Sequence, residues 1–307
     1  MISRPHPAAS QPVLRGRASR LAICSYENSR YRTRFWPGRK YEDRAERIAL
    51  AKMLPPTGKR LCEIGAGFGR LADEYAGYDC VVLLDYSVSL LREAAERLEN
   101  DPRFIFVAAD LYDLPFADSA LDSVVTVRVL HHVVNLPLAF AQIARVLRPR
   151  GAYVTEFANK RHLKARLRRW VTGRGPDLDN LEPHEFIRLN FDFHPRQVVQ
   201  ALGSAGFRLK EERAVSTFRV AALKRLVPSR LLAWADGLLQ RPLAGRDLTP
   251  SIFLSTESGK PGDAQLNRML WRCLTCGSTD FEASGDGLVC RACGRIYPIL
   301  EDIIDFR

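Results

Sequence analysis

This sequence of 307 residues has few features of a secreted, disulfide-bonded or membrane-spanning protein. No uninterrupted run of about 18 apolar residues occurs, which argues against a transmembrane helix. The opening residues, MISRPHPAASQPVLRGR, place Arg and Pro where a secretory signal would have its apolar core. The seven cysteines are too few for a disulfide scaffold. These absences predict a cytoplasmic protein, and a hydrophobic content of 46% is enough for a sizeable core.

Acidic residues are almost missing from two segments, and this accounts for the basic balance of the chain. The sequence has 46 Lys and Arg against 35 Asp and Glu, a formal net charge of +11. Residues 1–40 hold nine basic residues and one acid, and residues 160–176 hold seven basic residues and no acid. The rest of the chain is therefore slightly acidic. Such basic patches suit nucleic acid, an anionic surface, or simply a solvated tail and helix.

Strand and helix patterns alternate through the middle of the chain. Short apolar runs predict five strands, at residues 60–64, 80–84, 104–107, 123–127 and 152–157. His194 followed by Pro195 predicts a helix start, and two further strands follow at Phe207–Val215 and Ser251–Thr256. This alternation predicts an α/β fold whose mostly parallel sheet has helices on both faces.

The composition divides the chain into four parts. We predict a basic, partly disordered tail at 1–40, an α/β domain at 41–256, a polar linker at 257–268 and a cysteine-containing unit at 269–307. Within the α/β domain, two insertions are not needed by a plain sheet, at 158–193 and 216–248. The second is rich in apolar and aromatic residues, which fits a lid, a membrane-surface helix or ordinary core packing.

A glycine-rich loop follows the first predicted strand, in the segment Glu63-Ile-Gly-Ala-Gly-Phe-Gly. Glycines let the backbone turn tightly and let a ligand approach closely. The dinucleotide fingerprint G-x-G-x-x-G would need a glycine at position 70, which is Arg70. Asp85 ends the second strand at a distance from the loop at which an acid can bond a ribose, and Asp110 follows the third strand. The three acids thus form a row at the strand ends, where open α/β sheets bind ligands.

The segments EIGAGFG, AADLYDLPF, LDSVVTVRVLHHV and VLRPRG, together with Asp85, resemble the class I S-adenosylmethionine (SAM)-dependent methyltransferases, in particular the broad type 11 group. The resemblance covers about residues 41–256. It implies a seven-stranded, mostly parallel Rossmann-like sheet whose last strand is antiparallel. It also implies SAM as cofactor, with the loop glycines beside the methionine part, Asp85 at the ribose, Asp110 and Leu111 at the adenine, and Arg128 near the sulfonium. The predicted cofactor-binding set is Glu63, Gly65, Gly67, Gly69, Asp85, Tyr86, Asp110, Leu111 and Arg128.

Three histidines are candidates for a catalytic base. Methyl transfer from a sulfonium is an in-line displacement, and a base is needed only when the acceptor has a proton to lose. His131 and His132 follow the fourth strand, and His184 lies in the first insertion, although local packing or hydrogen bonding is the stronger explanation for such histidines. The fourth strand is not followed by Asn/Asp-Pro-Pro-aromatic, which disfavours adenine amino groups and glutamine amides as acceptors. No Pro-Cys or Thr-Cys nucleophile for pyrimidine C5 is present there either.

Four of the cysteines form two C-x-x-C-G units, with Cys273 and Cys276 in the first and Cys290 and Cys293 in the second. Two such units predict a tetrahedral four-cysteine zinc site, which is structural because all four positions are protein ligands. A unit of about 39 residues is also too small to fold on an apolar core alone. The run after Cys293 resembles the small zinc-ribbon proteins that partner tRNA, rRNA and release-factor methyltransferases. The ribbon has four basic and six acidic residues, which favours packing or a protein partner over a grip on RNA.

Three functions are compatible with these patterns. The leading one is methyl transfer from SAM to an oxygen, carbon or nitrogen of a small or lipid-like acceptor held under the two insertions. The second is an RNA methyltransferase that uses the basic patches, and it would require RNA binding that falls steeply with salt. The third is a non-catalytic SAM-binding scaffold, against which the intact glycine loop and strand-end acids argue.

Overall fold

The computed structural model describes residues 21–29, 31–285 and 287–307. Helices and strands alternate as the sequence predicts. The helices are α1 (Tyr31–Phe35), α2 (Lys40–Met53), α3 (Val88–Leu98), α4 (Leu136–Val146), α5 (Leu163–Thr172), α6 (Pro195–Ser204), α7 (Ala221–Leu226) and α8 (Ser229–Leu239). The strands are β1 (Gly58–Ile64), β2 (Tyr78–Asp85), β3 (Phe104–Ala108), β4 (Leu121–Thr126), β5 (Leu147–Ala158), β6 (His184–Ile187), β7 (Asn190–Asp192), β8 (Phe207–Val215), β9 (Ser251–Ser258), β10 (Phe281–Ser284), β11 (Gly287–Cys290), β12 (Ile296–Leu300) and β13 (Ile303–Asp305).

Eleven of these strands form one sheet, in the order β10-β11-β12-β13-β3-β2-β1-β4-β5-β9-β8. The seven from β3 to β8 are the sheet that the sequence predicts. β1 to β5 pair in parallel, and β9 is antiparallel to both of its neighbours. The α/β class is therefore confirmed. The strand count differs from seven because the C-terminal unit adds four more strands.

The C-terminal ribbon continues the sheet at the β3 edge. β13 pairs in parallel with β3, with Ile303 opposite Phe106 and Asp305 opposite Ala108. The N–H of Phe306 donates to the carbonyl of Ala108 at 2.9 Å and extends the pairing by one residue. Burying an otherwise unpaired edge satisfies backbone groups that water would have to solvate. The ribbon is thus docked on the α/β domain.

The predicted linker is also fixed to the domain. The guanidinium of Arg60 donates to the carbonyls of Asn267 at 2.7 Å and Arg268 at 3.0 Å. The Trp271 ring, just beyond, stacks on Phe116 with 5.7 Å between ring centroids. These contacts seat the ribbon against the loop that follows β3.

Two apolar layers cover the two faces of the sheet. α2, α3 and α8 pack on one face, and α4 and α6 pack on the other together with aromatic residues of the ribbon. His194 begins α6 as predicted, because its Nδ1 accepts the N–H of Arg196 at 3.1 Å. The first insertion forms α5 and the β6–β7 hairpin, and the second forms α7 and α8. No helix in the described part of the chain is long and apolar enough to cross a bilayer.

The segment before α2 is part of the folded domain, which corrects the expectation of a tail as far as residue 40. Both carboxylate oxygens of Glu27 accept N–H groups at the start of α3, from Val88 at 2.8 Å and Ser89 at 2.9 Å. Ser87, the residue directly before α3, makes no side-chain capping bond. A carboxylate here also suits the positive end of the helix dipole. Residues 1–20 of the predicted tail lie outside the described residues.

Candidate cofactor site

A cavity lies at the carboxyl edge of the sheet, where β1 to β4 end. Seven members of the predicted cofactor-binding set line it together with one of the candidate histidines: Gly65, Gly67, Asp85, Tyr86, Asp110, Leu111, Arg128 and His132. The crossovers of a parallel sheet bring these separate sequence segments to one edge. A second, open depression of about 730 Å³ lies at the opposite edge, beside the start of β1 at Gly58. Open α/β sheets bind ligands at the carboxyl edge, so we assign the site to the first cavity.

The glycine loop has a left-handed backbone and no room for side chains at its first position. Gly65 has φ +74°, and a Cβ there would lie 2.2 Å from Cγ2 of Val129. Its N–H and that of Ala66 both donate to the carbonyl of Leu84, which anchors the loop to the end of β2. The loop thus presents bare backbone to the cavity.

Asp85 holds the loop in place through its side chain. Oδ2 accepts the N–H of Gly67 at 2.8 Å, and Oδ1 accepts the N–H of Ser87 at 2.8 Å. Burial raises the pKa of Asp85, although these two backbone donors act in the opposite direction. Each carboxylate oxygen has a further lone pair, so the group can still accept bonds from a ligand hydroxyl.

Asp110 is held in a similar way one strand further along the sheet. Its Oδ1 accepts the N–H of Tyr112 at 2.8 Å, which closes a tight turn directly after β3. Leu111 and Tyr112 line the cavity beside it. The site therefore has one carboxylate beyond each of two adjacent strands, with apolar surface next to the second.

Arg128 lines the cavity, but its charge is engaged elsewhere. Its guanidinium pairs with the buried carboxylate of Glu46 and lies 5.1 Å from the centre of the Trp36 ring. Its backbone N–H donates to Oε2 of Glu156 at 2.9 Å. Burial alone would lower the pKa of Arg128, yet the two carboxylates raise it above its ordinary value. Arg128 thus remains a cation paired with Glu46, and its place near a sulfonium stays a prediction.

Glu63 and Gly69 are not among the residues that line the cavity. Glu63 is buried, and its Oε2 has no hydrogen-bond partner among the described residues. Burial raises the pKa of Glu63 to about 7, although the nearby Arg70 guanidinium opposes that shift. The contact of either residue with a cofactor stays a prediction.

His132 is fixed from both sides of its ring. Nδ1 lies 2.8 Å from the carbonyl oxygen of Leu189, and Nε2 lies 2.9 Å from the hydroxyl of Tyr26. A carbonyl can only accept, so Nδ1 must carry the proton and Nε2 must be the acceptor. Burial lowers the pKa of His132, which keeps the ring neutral near physiological pH. A neutral imidazole with a defined tautomer at a cavity wall is the arrangement that a general base needs.

The other two candidate histidines lie elsewhere. The ring of His131 packs against His132 with 3.9 Å between centroids, and burial lowers the pKa of His131 well below its ordinary value. His184 pairs with Asp192 across the β6–β7 hairpin. Neither lines the cavity. The geometry therefore favours His132 among the three.

Sequence reasoning missed the N-terminal wall of the site. Ala22, Ile23, Cys24, Tyr26 and Tyr31 all line the cavity. Their basic surroundings resembled a solvated tail, but the aromatic density of the run YENSRYRTRFW was a signal against that interpretation. The free volume left is about 120 Å³, below the roughly 300–1,000 Å³ of ordinary ligand pockets. These N-terminal residues therefore cover the cavity, and we call them the N-terminal cover.

The four cysteines of the two C-x-x-C-G units meet in the ribbon. Their sulfur atoms all lie within 4.8 Å of one another, and two pairs, Cys273–Cys293 and Cys276–Cys290, are 3.6 Å apart. None of the four is in a disulfide. Tetrahedral zinc with bonds of about 2.3 Å to sulfur needs nearly this spacing. The donor set and its geometry fit such an ion.

Comparison with known proteins agrees with this geometry. Residues 62–155 match the family model described as "Methyltransferase domain". The fold resembles the structure of a SAM-dependent methyltransferase from Thermotoga maritima, with a TM-score of 0.52 and 16% identity over 73% of this chain and 93% of that one. Residues 62–155 thus have the sequence pattern of a methyltransferase domain, and the sheet has the Rossmann-like methyltransferase fold.

Two relatives with named methyltransferase activities match part of the chain. The chain is 35% identical to a demethylmenaquinone methyltransferase of Roseiflexus sp. over 134 residues, 42% of this chain and 55% of that protein. It is 27% identical to the sterol 24-C-methyltransferase erg6 of Schizosaccharomyces pombe over 212 residues, 64% of this chain and 52% of that protein. The chain spans about half the length of these relatives.

Proposed function

We propose that this protein transfers the methyl group of SAM to an oxygen or carbon atom of a small or lipid-like acceptor. The observation that carries the proposal is the shared cavity, into which the glycine loop, two strand-end carboxylates and a neutral histidine of fixed tautomer all face. The named activities of the relatives, on demethylmenaquinone and on a sterol, support a lipid-like acceptor.

Within this proposal, different residues of the chain hold different parts of the cofactor. Gly65 and Gly67 admit the methionine part close to the backbone, and Asp85 accepts bonds from the ribose hydroxyls. Leu111 and Tyr86 flank the adenine, with Asp110 at its edge. When bound, SAM supplies an electrophilic methyl group on a sulfonium. Because the N-terminal segment covers the site, water is kept away from the reacting atoms.

His132 and Tyr26 remove the acceptor's proton. The Tyr26 hydroxyl donates to Nε2 of His132 and can at the same time accept a hydrogen bond from an acceptor hydroxyl in the cavity. As the acceptor oxygen gains its bond to carbon, its proton passes to Tyr26 and the phenolic proton passes to Nε2. The Leu189 carbonyl stabilises the resulting imidazolium through Nδ1–H. An acceptor with a removable proton, such as a phenol or quinol, suits this pair better than an amine that needs no base.

We further propose that the ribbon binds one structural zinc ion through Cys273, Cys276, Cys290 and Cys293. All four positions of a tetrahedral ion are then occupied by protein, which leaves none for catalysis. The ribbon instead supports the cofactor site from outside. The guanidinium of Arg307 donates to the carbonyl of Tyr86 at 3.1 Å and lies 5.6 Å from that ring's centre.

Calorimetric titration with SAM, followed by methyl transfer from labelled SAM to a panel of phenols, quinols and sterols, tests the proposal. We expect saturable SAM binding by the wild-type chain and transfer to at least one panel member. Failure of the wild-type chain to bind SAM would exclude the enzyme. Binding without transfer to any acceptor would favour the scaffold alternative, and transfer only to RNA transcripts would favour the RNA alternative.

A further inference from the structure

Helix α5 presents an apolar stripe to solvent. None of its residues is buried, and Trp170 is 84% exposed. Leu163, Leu167 and Val171, all exposed, fall with Trp170 within an arc of about 100° around the helix axis. A surface helix normally turns such a stripe toward the core. This stripe therefore lacks the partner that its pattern calls for.

Basic side chains border the stripe. Lys164 and Arg168 lie along one side of it, and Arg169 and Arg174 follow on the same acid-free segment. None of these four takes part in an ion pair within the described part of the chain. Uncompensated positive charge beside exposed apolar groups is the pattern of helices that lie in a membrane interface.

Two neighbouring elements add exposed apolar groups. α7 likewise has no buried residue, and Leu226 on it is 82% exposed. Phe186 and Ile187 are exposed in the β6–β7 hairpin. The hairpin lies beside the start of α5, because the ammonium of Lys160, three residues before the helix, donates to the carbonyl of Glu182, two residues before the hairpin, at 2.7 Å.

We propose that α5, together with the β6–β7 hairpin and α7, is a docking surface for an anionic lipid bilayer. Large aliphatic and indole side chains gain free energy by entering acyl chains, and Lys and Arg gain by approaching anionic headgroups. RNA phosphates would bind the arginines, but RNA would leave Leu163 and Val171 without an apolar partner. A second copy of the chain would place its own basic residues against these and be repelled. Residues 1–20 would be repelled in the same way, because they contain four arginines and no acid.

The β6–β7 hairpin connects the proposed docking surface to the wall of the cofactor cavity. Leu189 bonds His132 at the cavity wall, while Ile187, two residues earlier, is exposed on the proposed surface. A lipid-like acceptor could therefore enter from the bilayer side. This last step rests on the proposed function, whereas bilayer docking itself does not.

Vesicle flotation of the full zinc-loaded chain tests the proposal. The two vesicle types are phosphatidylcholine alone and phosphatidylcholine mixed with phosphatidylglycerol. We expect binding to the anionic vesicles that weakens with salt. Trp170→Ser or Leu167→Ser should reduce the partition constant about tenfold or more, because each removes a large apolar group from the interface. Arg168→Glu should reduce it by a similar factor.

Matched controls come from exposed residues elsewhere on the molecule. Ile296→Ser changes an apolar group of the ribbon that is 59% exposed, and Lys210→Glu reverses an exposed charge on β8. Both should bind vesicles like the wild type. Trp170→Ser should also bind SAM normally, which shows that it folds, and Asp85→Ala should bind vesicles normally, which separates docking from the proposed function.

Several outcomes would overturn the proposal. The proposal would be wrong if the wild-type protein did not bind anionic vesicles, or if Trp170→Ser bound them with an unchanged partition constant. Salt-sensitive RNA binding lost in Arg168→Glu, without vesicle binding, would assign the surface to RNA. A dimer in sedimentation that Trp170→Ser dissociates, again without vesicle binding, would assign it to a second copy.

Discussion

The Tyr26 hydroxyl donates to Nε2 of His132 across 2.9 Å, although the two residues are 106 positions apart in the chain. The contact joins the N-terminal cover to the turn after β4. The proposed proton path therefore depends on the N-terminal segment holding Tyr26 beside His132.

Replacement of His132 by Gln should lower kcat about 10²- to 10³-fold while SAM affinity changes little, because a base acts on the acceptor's proton. Tyr26→Phe should give a comparable loss if the proton passes through the hydroxyl. Steady-state methyl transfer and SAM titration measure the two effects. Unchanged turnover in both variants would remove the relay, and His184→Ala, away from the cavity, serves as the comparison.

The pH profile of kcat/KM gives an independent check on the same group. Burial lowers the pKa of His132 below its ordinary value of 6.5. The rate should therefore rise with pH in a limb that lies below pH 6.5 and stay flat above it. A limb centred near pH 8 or higher would point to a different base.

Asp85→Ala should weaken SAM binding about tenfold or more. The variant removes both the ligand acceptor and the bond that holds the Gly67 N–H, each worth about 1 kcal/mol or more. Calorimetry on the variant and on Asp79→Asn, an exposed acid near the start of β2, measures the difference. Equal affinity in the wild type and Asp85→Ala would show that the cofactor does not use this carboxylate.

Glu63→Gln should change how stability depends on pH. The folded-state pKa of Glu63, about 7, lies above its ordinary value of 4.5, so the protonated form is favoured in the folded protein. Its contribution is fully present below pH 4.5 and is lost as the pH rises through 7. Between pH 4.5 and 8, the free energy of unfolding of the wild type should fall by up to ~3 kcal/mol more than that of Glu63→Gln, because the side chain of the variant stays neutral. Urea unfolding across this range measures it, and parallel curves would show that Glu63 titrates normally.

Removal of zinc should loosen the cofactor site as well as the ribbon. Cys276→Ser removes one exposed ligand, and we expect lower zinc content, a lower Tm and weaker SAM binding, since Arg307 supports Tyr86. Cys80→Ser, a half-buried thiol outside the cluster, should keep one zinc per chain. Elemental analysis of both variants is the measurement. A full complement of zinc in Cys276→Ser would argue against the four-thiolate site.

Local patterns were enough to predict the parallel strands and the glycine loop. Buried parallel strands are continuous apolar runs, and the loop glycines are required by their backbone conformation. The bond between Leu189 and His132 could not be predicted, because it depends on how an insertion folds back over the sheet. The cover around Tyr26 was missed because composition described its charge and not its aromatic contacts.

The pairing of β13 with β3 has a consequence for how the chain is made. About 200 positions separate the two strands, so β3 is synthesised long before its partner, and closing so long a loop slows folding. During that interval β3 is an edge with free N–H and C=O groups, open to pairing with other chains. A nascent chain that stalls before the ribbon would therefore be prone to aggregate through the strand that precedes Asp110.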